Sequence, residues 1–349
     1  MRKANTLKQV VEVDISPPTI KLKAGRRKKP SWPKKYSVVS LFSGCGGLDL
    51  GFQGGFDYVG IPHDRLAFDI LAAYDHDPKC VLTYNQNIVD HAKQLDLSTY
   101  DPNDVPAAEV VIGGFPCQDF ATCGPRHGLK SERGRLYQAL INYAKVHRPL
   151  CIVGENVPGL ANIAKGMALE TIKKEIDEAG YNVEVWNLYA PDFGVPQNRT
   201  RLFIIGIRKD LEGFPTRPLP THNESYRSVK WAIDDLIEIS DESVPNQSQY
   251  FLASKAKKGN GQGDETSRAD EPSYTIRANA KSRVQFHYSL GRRLTVRECA
   301  RLQTFPDDFV FPFSATTNVM QIGNAVPPML GHIVARSIQN WLFGVTNKQ

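Results

Sequence analysis

The stretch YSVVSLFSGCGGLDLG, residues 36–51, decides the fold of this chain. Its first seven residues are apolar enough to form a buried β-strand, and a glycine-rich turn then opens a helix. Glycines at such a turn let the backbone approach a ligand closely, at the sheet edge where α/β folds bind nucleotides. Turns of this kind serve many nucleotides. The stretch therefore predicts a nucleotide-binding strand–turn–helix unit without identifying the ligand.

Further apolar segments recur along the chain, with helical patterns between them. Strands are predicted at residues 71–74, 110–112, 151–153 and 202–207, and helices at 134–146 and 168–179. This alternation favours βαβ units and an α/β fold with a doubly wound, mostly parallel sheet. Between about 208 and 291 it is replaced by prolines and a polar, glycine-rich run, which predicts a smaller, mostly irregular or β domain.

Two helices are predicted near the end of the chain. One begins after Thr295, whose hydroxyl would cap it together with Glu298 three residues on. The last begins near Pro328 and is predicted to end before Phe343. The expected organisation is a basic tail, a large domain built on the sheet, a small domain and a C-terminal segment that returns to the large domain: residues 1–36, 37–207, 208–309 and 310–349.

The bulk composition is that of a globular protein outside the membrane. The 349 residues are 41% hydrophobic, and no apolar run approaches the roughly 18–20 residues of a membrane span. No signal-peptide core is recognised near the first residue. The six cysteines form no metal-type pair, so we expect reduced thiols, no bound metal and a cytoplasmic location.

The net charge of +6 is unevenly placed. Residues 1–36 contain eleven Lys and Arg against two acids, and the remainder contains 32 basic and 35 acidic residues. A tail of this kind either contacts phosphates non-specifically or is a solvated arm. If the folded body binds nucleic acid, its basic groups must therefore be local.

Two predicted strand ends carry groups that suggest catalysis. Cys117 follows one strand in the segment GGFPCQ, and Glu155 ends another in CIVGENVP. A thiol and an acid on neighbouring strand ends favour covalent catalysis with an acid partner. For either segment alone, a buried cysteine or an unrelated loop glutamate is the alternative.

Other strand ends carry groups suited to an adenosine cofactor. Asp75 stands where a carboxylate accepts hydrogen bonds from ribose hydroxyls, and Asp96 could accept from an adenine amino group. Phe42 and His76 are planar and could flank the adenine ring. Each of them alone would also fit a helix cap or a core ring, but their order along successive strands favours an adenosine cofactor.

A pair of arginines precedes the strand at 202–207. Arg199 and Arg201, in QNRTR, point to the same side of an extended segment. They could hold a polar ring, a phosphate or the catalytic carboxylate, and a surface ion pair is the alternative.

Taken in order, these segments resemble the DNA cytosine-5 methyltransferase family, and most closely its bacterial restriction-modification members. The matching segments are LFSGCGGL (41–48), GGFPCQ (113–118), ENV (155–157), QNRTR (197–201), RLTVRECARLQTFP (293–306) and QIGNAVPP (321–328). The resemblance covers roughly 37–207 and 291–340. It implies a Rossmann-like S-adenosylmethionine-dependent methyltransferase with S-adenosylhomocysteine as product.

The resemblance also implies the site residues. Cys117 would attack carbon 6 of cytosine and Glu155 would contact ring nitrogen 3, while Arg201 would bind the 2-keto oxygen and Arg199 would brace the acid and the catalytic loop. Pro116, Gln118 and Asn156 complete the catalytic set. The cofactor set is Phe42, Ser43, Gly44, Cys45, Gly46, Gly47, Asp75, His76, Asp96, Leu97, Phe115, Asn324 and Ala325.

The implied substrate is double-stranded DNA with a short specific site, whose target cytosine must leave the stack to be reached. The segment at about 120–130 would close on the DNA, and the small domain would read bases in the major groove. The base-reading candidates are Arg227, Arg268, Arg277 and Arg283. A monomer is expected, with a companion restriction endonuclease that acts on the same site.

The chain departs from the family pattern in the catalytic loop, where Ala121 replaces the usual serine and Phe115 a common proline. Three other functions compete with the one above. An RNA cytosine methyltransferase would usually show a Cys-Phe-Thr tripeptide, which this sequence lacks. A catalytically silent DNA-binding homologue would not need Cys117 and Glu155. A nicotinamide-dependent dehydrogenase leaves both of these strand ends unexplained.

Overall fold

The computed structural model describes residues 34–116, 136–250, 264–278 and 285–346. The strands in this part of the chain are β1 (Tyr36–Leu41), β2 (Phe56–Tyr58), β3 (Ile61–His63), β4 (Phe68–Asp75), β5 (Ala92–Gln94), β6 (Val110–Gly114), β7 (Cys151–Asn156), β8 (Tyr181–Tyr189), β9 (Thr200–Arg208), β10 (Glu265–Thr266) and β11 (Gln285–Phe286). The α-helices are α1 (Gly47–Gln53), α2 (Pro78–Asn87), α3 (Gln138–His147), α4 (Met167–Glu178), α5 (Val229–Ile233), α6 (Val296–Leu302), α7 (Ala315–Asn324) and α8 (Pro328–Thr346).

The central sheet has seven strands in the order β5-β4-β1-β6-β7-β9-β8. The five strands from β5 to β7 are parallel, and β9 pairs antiparallel with both β7 and β8. The predicted mostly parallel α/β sheet is confirmed, while β8 was not predicted from the sequence. Because β9 is antiparallel, its amino end lies beside the carboxyl end of β7, and this places the QNRTR segment at the functional edge.

Both faces of the sheet are covered at its centre, which is why β1, β6 and β7 are almost continuously buried. Val38 of β1 packs into a core that includes α1 and α8, whereas its neighbour Val39 packs into a second core with α3 and α4. Alternate residues of a strand point to opposite faces, so a strand buried on both sides needs a continuous apolar run. Packing on both faces therefore fixes the sheet, and the carboxyl ends of its parallel strands lie along one edge.

Helix α8 packs against α1 and the start of β1. A Cβ added to Gly51 would lie 2.7 Å from backbone atoms of Gly331, so the two helices touch backbone to backbone. At the far end of α8, the Tyr36 hydroxyl lies 2.7 Å from Thr346 Oγ1. The prediction that this helix ends before Phe343 is wrong. No proline stops the helix there, and its last turn is docked on β1.

The predicted small domain is mostly irregular in its described part, with α5, α6 and the two-residue strands β10 and β11. The predicted cap of α6 is confirmed, because Thr295 and Glu298 form a reciprocal capping box. Among the described residues, no helix is long and apolar enough to cross a membrane. The described cysteines, Cys45, Cys80, Cys151 and Cys299, are free thiols.

Candidate active site

The glycine turn after β1 is folded tightly against two other segments. Gly46 has φ 92°, and a Cβ there would lie 2.2 Å from Ile88 Cδ1. A Cβ on Gly47 would lie 2.4 Å from the Val326 carbonyl oxygen, which belongs to the QIGNAVPP segment. The turn therefore requires glycine at both positions. It also joins the first and last motifs of the chain in space.

Asp75 at the end of β4 shapes the same turn. Its Oδ2 accepts a hydrogen bond of 2.8 Å from the Gly44 N–H, and its Oδ1 accepts one of 2.9 Å from the Asp77 N–H. The exposed ring of His76 lies 3.4 Å from Oδ1, and this contact raises the pKa of His76. Asp75 thus organises the loop itself, and its predicted contact with ribose stays a prediction.

The remaining predicted adenosine groups lie close by. The Leu95 N–H donates to the Asp75 carbonyl, which brings the segment after β5 to the end of β4. Asp96 is exposed there, and hydrogen bonds from the Ser98 N–H and hydroxyl lower its pKa. Leu97 is buried in the core and supports this segment from below.

The turn has features that a bound ligand would complete. Ser43 is buried, and its hydroxyl has no hydrogen-bond partner in the described part of the chain. The Phe42 ring is half-buried, and Asn324 is exposed beside the turn. Buried hydroxyls are normally paired, so an unpaired one next to a glycine cradle fits a ligand that supplies the partner. The residues that would hold the cofactor are Phe42, Ser43, Asp75, His76, Asp96, Asn324 and Ala325. Cys45 is buried beneath the turn, and burial raises the pKa of its thiol to about 12.

The acid at the end of β7 forms a buried ion pair. Glu155 is 8% exposed, and its Oε1 lies 2.8 Å from Arg201 Nε. Burial raises the pKa of Glu155, and the charges of Arg201 and Arg199 oppose that rise. The sequence analysis gave the bracing position to Arg199. In the structure Arg201 occupies it, because the antiparallel register pairs Asn156 with Leu202.

The residue after Glu155 holds the loop that leads to the predicted nucleophile. The Asn156 side-chain amide donates a 2.9 Å hydrogen bond to the Phe115 carbonyl, directly before Pro116. Glu155 is in register with Gly114 on the neighbouring strand, where a Cβ would lie 3.0 Å from its Oε2. The glycine thus leaves room for the acid beside the loop. Cys117, Gln118 and the predicted closing segment at 120–130 lie outside the described residues.

Arg199 points away from the acid and into the protein. Its guanidinium donates to the carbonyls of Ile276, Gly323 and Ala325 at 3.0, 2.7 and 3.0 Å. Gln197 and Gln303 join the same hydrogen-bond network, although the sequence analysis gave them no role. Their only signal in the sequence was membership of two matched segments.

The fold is a Rossmann-like α/β fold, and this edge holds a glycine turn and a buried acid at the carboxyl ends of its parallel strands. A family model described as C-5 cytosine-specific DNA methylase matches residues 36–340. The chain therefore belongs to this family and is a DNA cytosine-5-methyltransferase. The predicted resemblance to its bacterial members is confirmed.

Similar proteins agree with this assignment. The chain is 36% identical over 336 residues to the Type II methyltransferase M.NgoFVII of Neisseria gonorrhoeae, with 87% of this chain and 86% of that protein covered. It is 31% identical to the Type II methyltransferase M.FnuDI of Fusobacterium nucleatum, with 87% and 94% covered. The solved structure of the S. pombe Dnmt2 methyltransferase shares the fold, with a TM-score of 0.66 at 21% identity and 89% and 99% of the two chains covered.

Proposed function

We propose that this enzyme methylates carbon 5 of a flipped-out cytosine within a short specific sequence of double-stranded DNA, through a covalent adduct of Cys117 on carbon 6. S-adenosylmethionine, when bound, supplies an electrophilic methyl group. The observation that carries the proposal is the buried Glu155–Arg201 pair, 2.8 Å apart, beside the loop that runs into Cys117. A dehydrogenase would need neither group there.

The chemistry explains why an acid is needed at this point. Carbon 5 of cytosine is a poor nucleophile until the Cys117 thiolate bonds to carbon 6 and the ring electrons move to carbon 5. That shift places negative charge on the ring, which a proton or hydrogen bond at nitrogen 3 relieves. Burial raises the pKa of Glu155, so this residue is suited to holding that proton. Once carbon 5 carries the methyl group, loss of its proton to a base re-forms the C5–C6 double bond and expels the thiolate, while the nitrogen 3 proton returns to Glu155.

Two neighbours position these groups. Asn156 fixes the Phe115 carbonyl, which anchors the described end of the Pro-Cys loop. Arg201 is mostly buried and pairs with Glu155 through Nε, and its guanidinium would also reach the 2-keto oxygen of the base. A base held between an acid and an arginine would be oriented before the thiolate attacks.

Recognition of DNA would fall to residues 208–309. Two of the arginine candidates already have partners: Arg268 pairs with Glu271, and Arg227 stacks 4.4 Å over Trp231. Arg277 is exposed, and its neighbour Ile276 is fixed by Arg199, so Arg277 is the candidate that the described contacts favour. Arg283 lies outside the described residues. We place the enzyme in the cytoplasm. We expect it to act as a monomer, because one flipped base needs one active site.

Bisulfite sequencing tests the proposal directly. Genomic DNA would be compared from a methylation-deficient host that expresses the chain and from one that expresses Cys117→Ser. We expect methylated cytosines confined to one short sequence, and none with the variant. Methylation by Cys117→Ser would overturn the covalent mechanism. An unmethylated genome despite folded protein would favour an RNA substrate or a silent homologue.

The same DNA tests the proposed pairing with a restriction enzyme. DNA from the expressing host should resist Type II endonucleases that cut the methylated sequence, and DNA from the Cys117→Ser host should be cut. Cleavage of fully methylated DNA by every such endonuclease would contradict a protective role.

A further inference from the structure

A segment of the predicted recognition domain lies directly against the start of β9. The Asn198 N–H donates to the Ser273 carbonyl at 2.7 Å, and the Ser273 N–H donates to the Pro196 carbonyl at 2.9 Å. Gln197, fully buried, accepts a 3.0 Å hydrogen bond from the Ile276 N–H through Oε1. The backbone at Ile276 is thus held by a side chain from the catalytic edge.

Arg199 holds the same residue from its other side. It is 2% exposed and makes no ion pair within 4 Å in the described part of the chain. Its donors instead reach the carbonyls of Ile276, Gly323 and Ala325. Burial of a guanidinium costs desolvation free energy. Hydrogen bonds from its several donors to backbone carbonyls offset that cost and hold those backbone groups together. Here it joins the recognition segment, residues 275–278, to the C-terminal end of α7, which carries Asn324.

Gln303 closes the network. Its amide donates to the Ala325 carbonyl at 2.6 Å, and its Oε1 accepts from the Gln197 amide at 2.6 Å. The two backbones also touch directly, because a Cβ on Gly323 would lie 2.3 Å from the carbonyl carbon of Arg277. Displacement of either backbone would therefore break several buried hydrogen bonds at once.

We propose that Gln197, Arg199 and Gln303 are positioning residues that couple the C-terminal end of α7, residues 323–325, to the recognition segment at 275–278. A cofactor that orders the end of α7 would also order Ile276 and Arg277. The segment that reads DNA would then be in position before DNA binds. By linkage, DNA bound at that segment would tighten the hold on the cofactor by the same factor. The inference rests on the proposed roles of Asn324 in cofactor binding and of residues 208–309 in reading DNA.

Amide hydrogen exchange of the full chain, without DNA, measures this coupling. The probe is saturating S-adenosylhomocysteine, and the readout is exchange in peptides that cover 273–278. In the wild type we expect the cofactor product to slow exchange at Ile276 about fivefold or more. Arg199→Lys keeps the charge but cannot span three carbonyls, and Gln303→Leu keeps the volume without the amide. Both variants should bind S-adenosylhomocysteine, as measured by calorimetry, without slowing exchange at Ile276.

Tyr181→Phe is the matched control. It removes the hydrogen bond from the buried Tyr181 hydroxyl to the Pro149 carbonyl, which involves neither residues 273–278 nor residues 323–325, and the slowing should persist. A wild type that binds S-adenosylhomocysteine with unchanged exchange at Ile276 would overturn the proposal, and so would a Gln303→Leu variant that keeps the slowing. If Arg199→Lys does not fold, Gln303→Leu alone decides. Because no DNA is used, either result is separate from the outcome of bisulfite sequencing.

Discussion

The central sheet and the region around α6 satisfy their buried backbone in different ways. In the sheet, β8 and β9 pair residue by residue from Tyr181 opposite Arg208 to Tyr189 opposite Thr200. Around α6, buried side chains take over this task. Arg297, fully buried, donates to the carbonyls of Pro245, Pro306 and Phe309 at 2.7, 2.8 and 2.6 Å.

This difference shows what an irregular segment needs in order to be buried. Every buried carbonyl needs a donor, and a segment without strand neighbours must find it in a side chain. Asn318 is used in the same way, because its amide donates to the carbonyls of Phe311 and Phe313. We therefore expect the sheet to tolerate loss of single polar side chains, and the α6 region to depend on them.

The largest effect is expected at the active site, at the end of β7. Glu155→Gln keeps the shape of the side chain but removes its ability to hold a proton for the base, and the methylation rate should fall about 100- to 10,000-fold. Rates of methyl transfer to DNA that carries the mapped site would measure it. Glu109→Gln is the control, since Glu109 pairs with Lys34 at the opposite end of the sheet. A Glu155→Gln enzyme as fast as the Glu109 variant would remove the acid from the mechanism.

Arg297→Met tests the α6 region most directly. It preserves apolar volume but leaves the carbonyls of Pro245, Pro306 and Phe309 without donors, at a cost of about 1–3 kcal/mol for each unsatisfied group that stays buried. We expect a loss of about 3–5 kcal/mol in the free energy of unfolding, measured with urea. Arg268→Met, which breaks the exposed pair with Glu271, should show no resolvable change. Equal stability of the two variants would mean that buried arginines do not hold this region.

The free energy of unfolding should depend on pH through His332, which lies on α8 beside the sheet. Burial lowers the pKa of His332 from 6.5 to about 4, with Arg336 and His63 adding to the effect, while Nε2 lies 2.8 Å from the Asp64 carbonyl. The unfolded chain then binds a proton between these two pH values and the folded chain does not. Stability is therefore lost as the pH falls from about 6.5 towards 4, with about 2 kcal/mol lost between pH 7 and pH 5.

Urea unfolding at both pH values, for the wild type and His332→Gln, isolates this contribution. The variant should lose about 2 kcal/mol less than the wild type over the same interval. Identical pH dependence of the two proteins would show that His332 is not held neutral by the fold.

An effect of similar size to that of His332 is expected for one added methyl group where α1 and α8 cross. Gly51→Ala would place a Cβ 2.7 Å from Gly331 and His332 backbone atoms, and the overpacking should cost about 1–3 kcal/mol. Gly344→Ala, in α8 with no atom within 4 Å of its added Cβ, is the matched control and should be neutral or slightly stabilising. Thermal unfolding of both variants would compare them. A Gly51→Ala protein as stable as the control would show that the helices can move apart without cost.

Predictability from the sequence followed the range of the interactions involved. The glycine turn, the strand carrying Glu155 and the Thr295 cap were predicted because local spacing and residue type determine them. Glu155 pairs with Arg201, whereas the sequence analysis expected Arg199 to brace the acid, and the two arginines lie only two residues apart in one segment. Only the register between β7 and β9 distinguishes them. The end of α8 was misplaced because it depends on contact with β1 rather than on a stop signal.

By itself, the sequence determined the glycine turn after β1, the main parallel strands and the family, because periodicity, glycine positions and motifs are local properties of the chain. The tertiary structure alone decided that Arg201 faces the acid while Arg199 faces Ile276, Gly323 and Ala325. The Arg199 contacts join residues 77 or more positions apart in the chain, and Glu155 and Arg201 are 46 positions apart. Such contacts are set by how the two regions pack, and no local pattern encodes which buried donor meets which carbonyl.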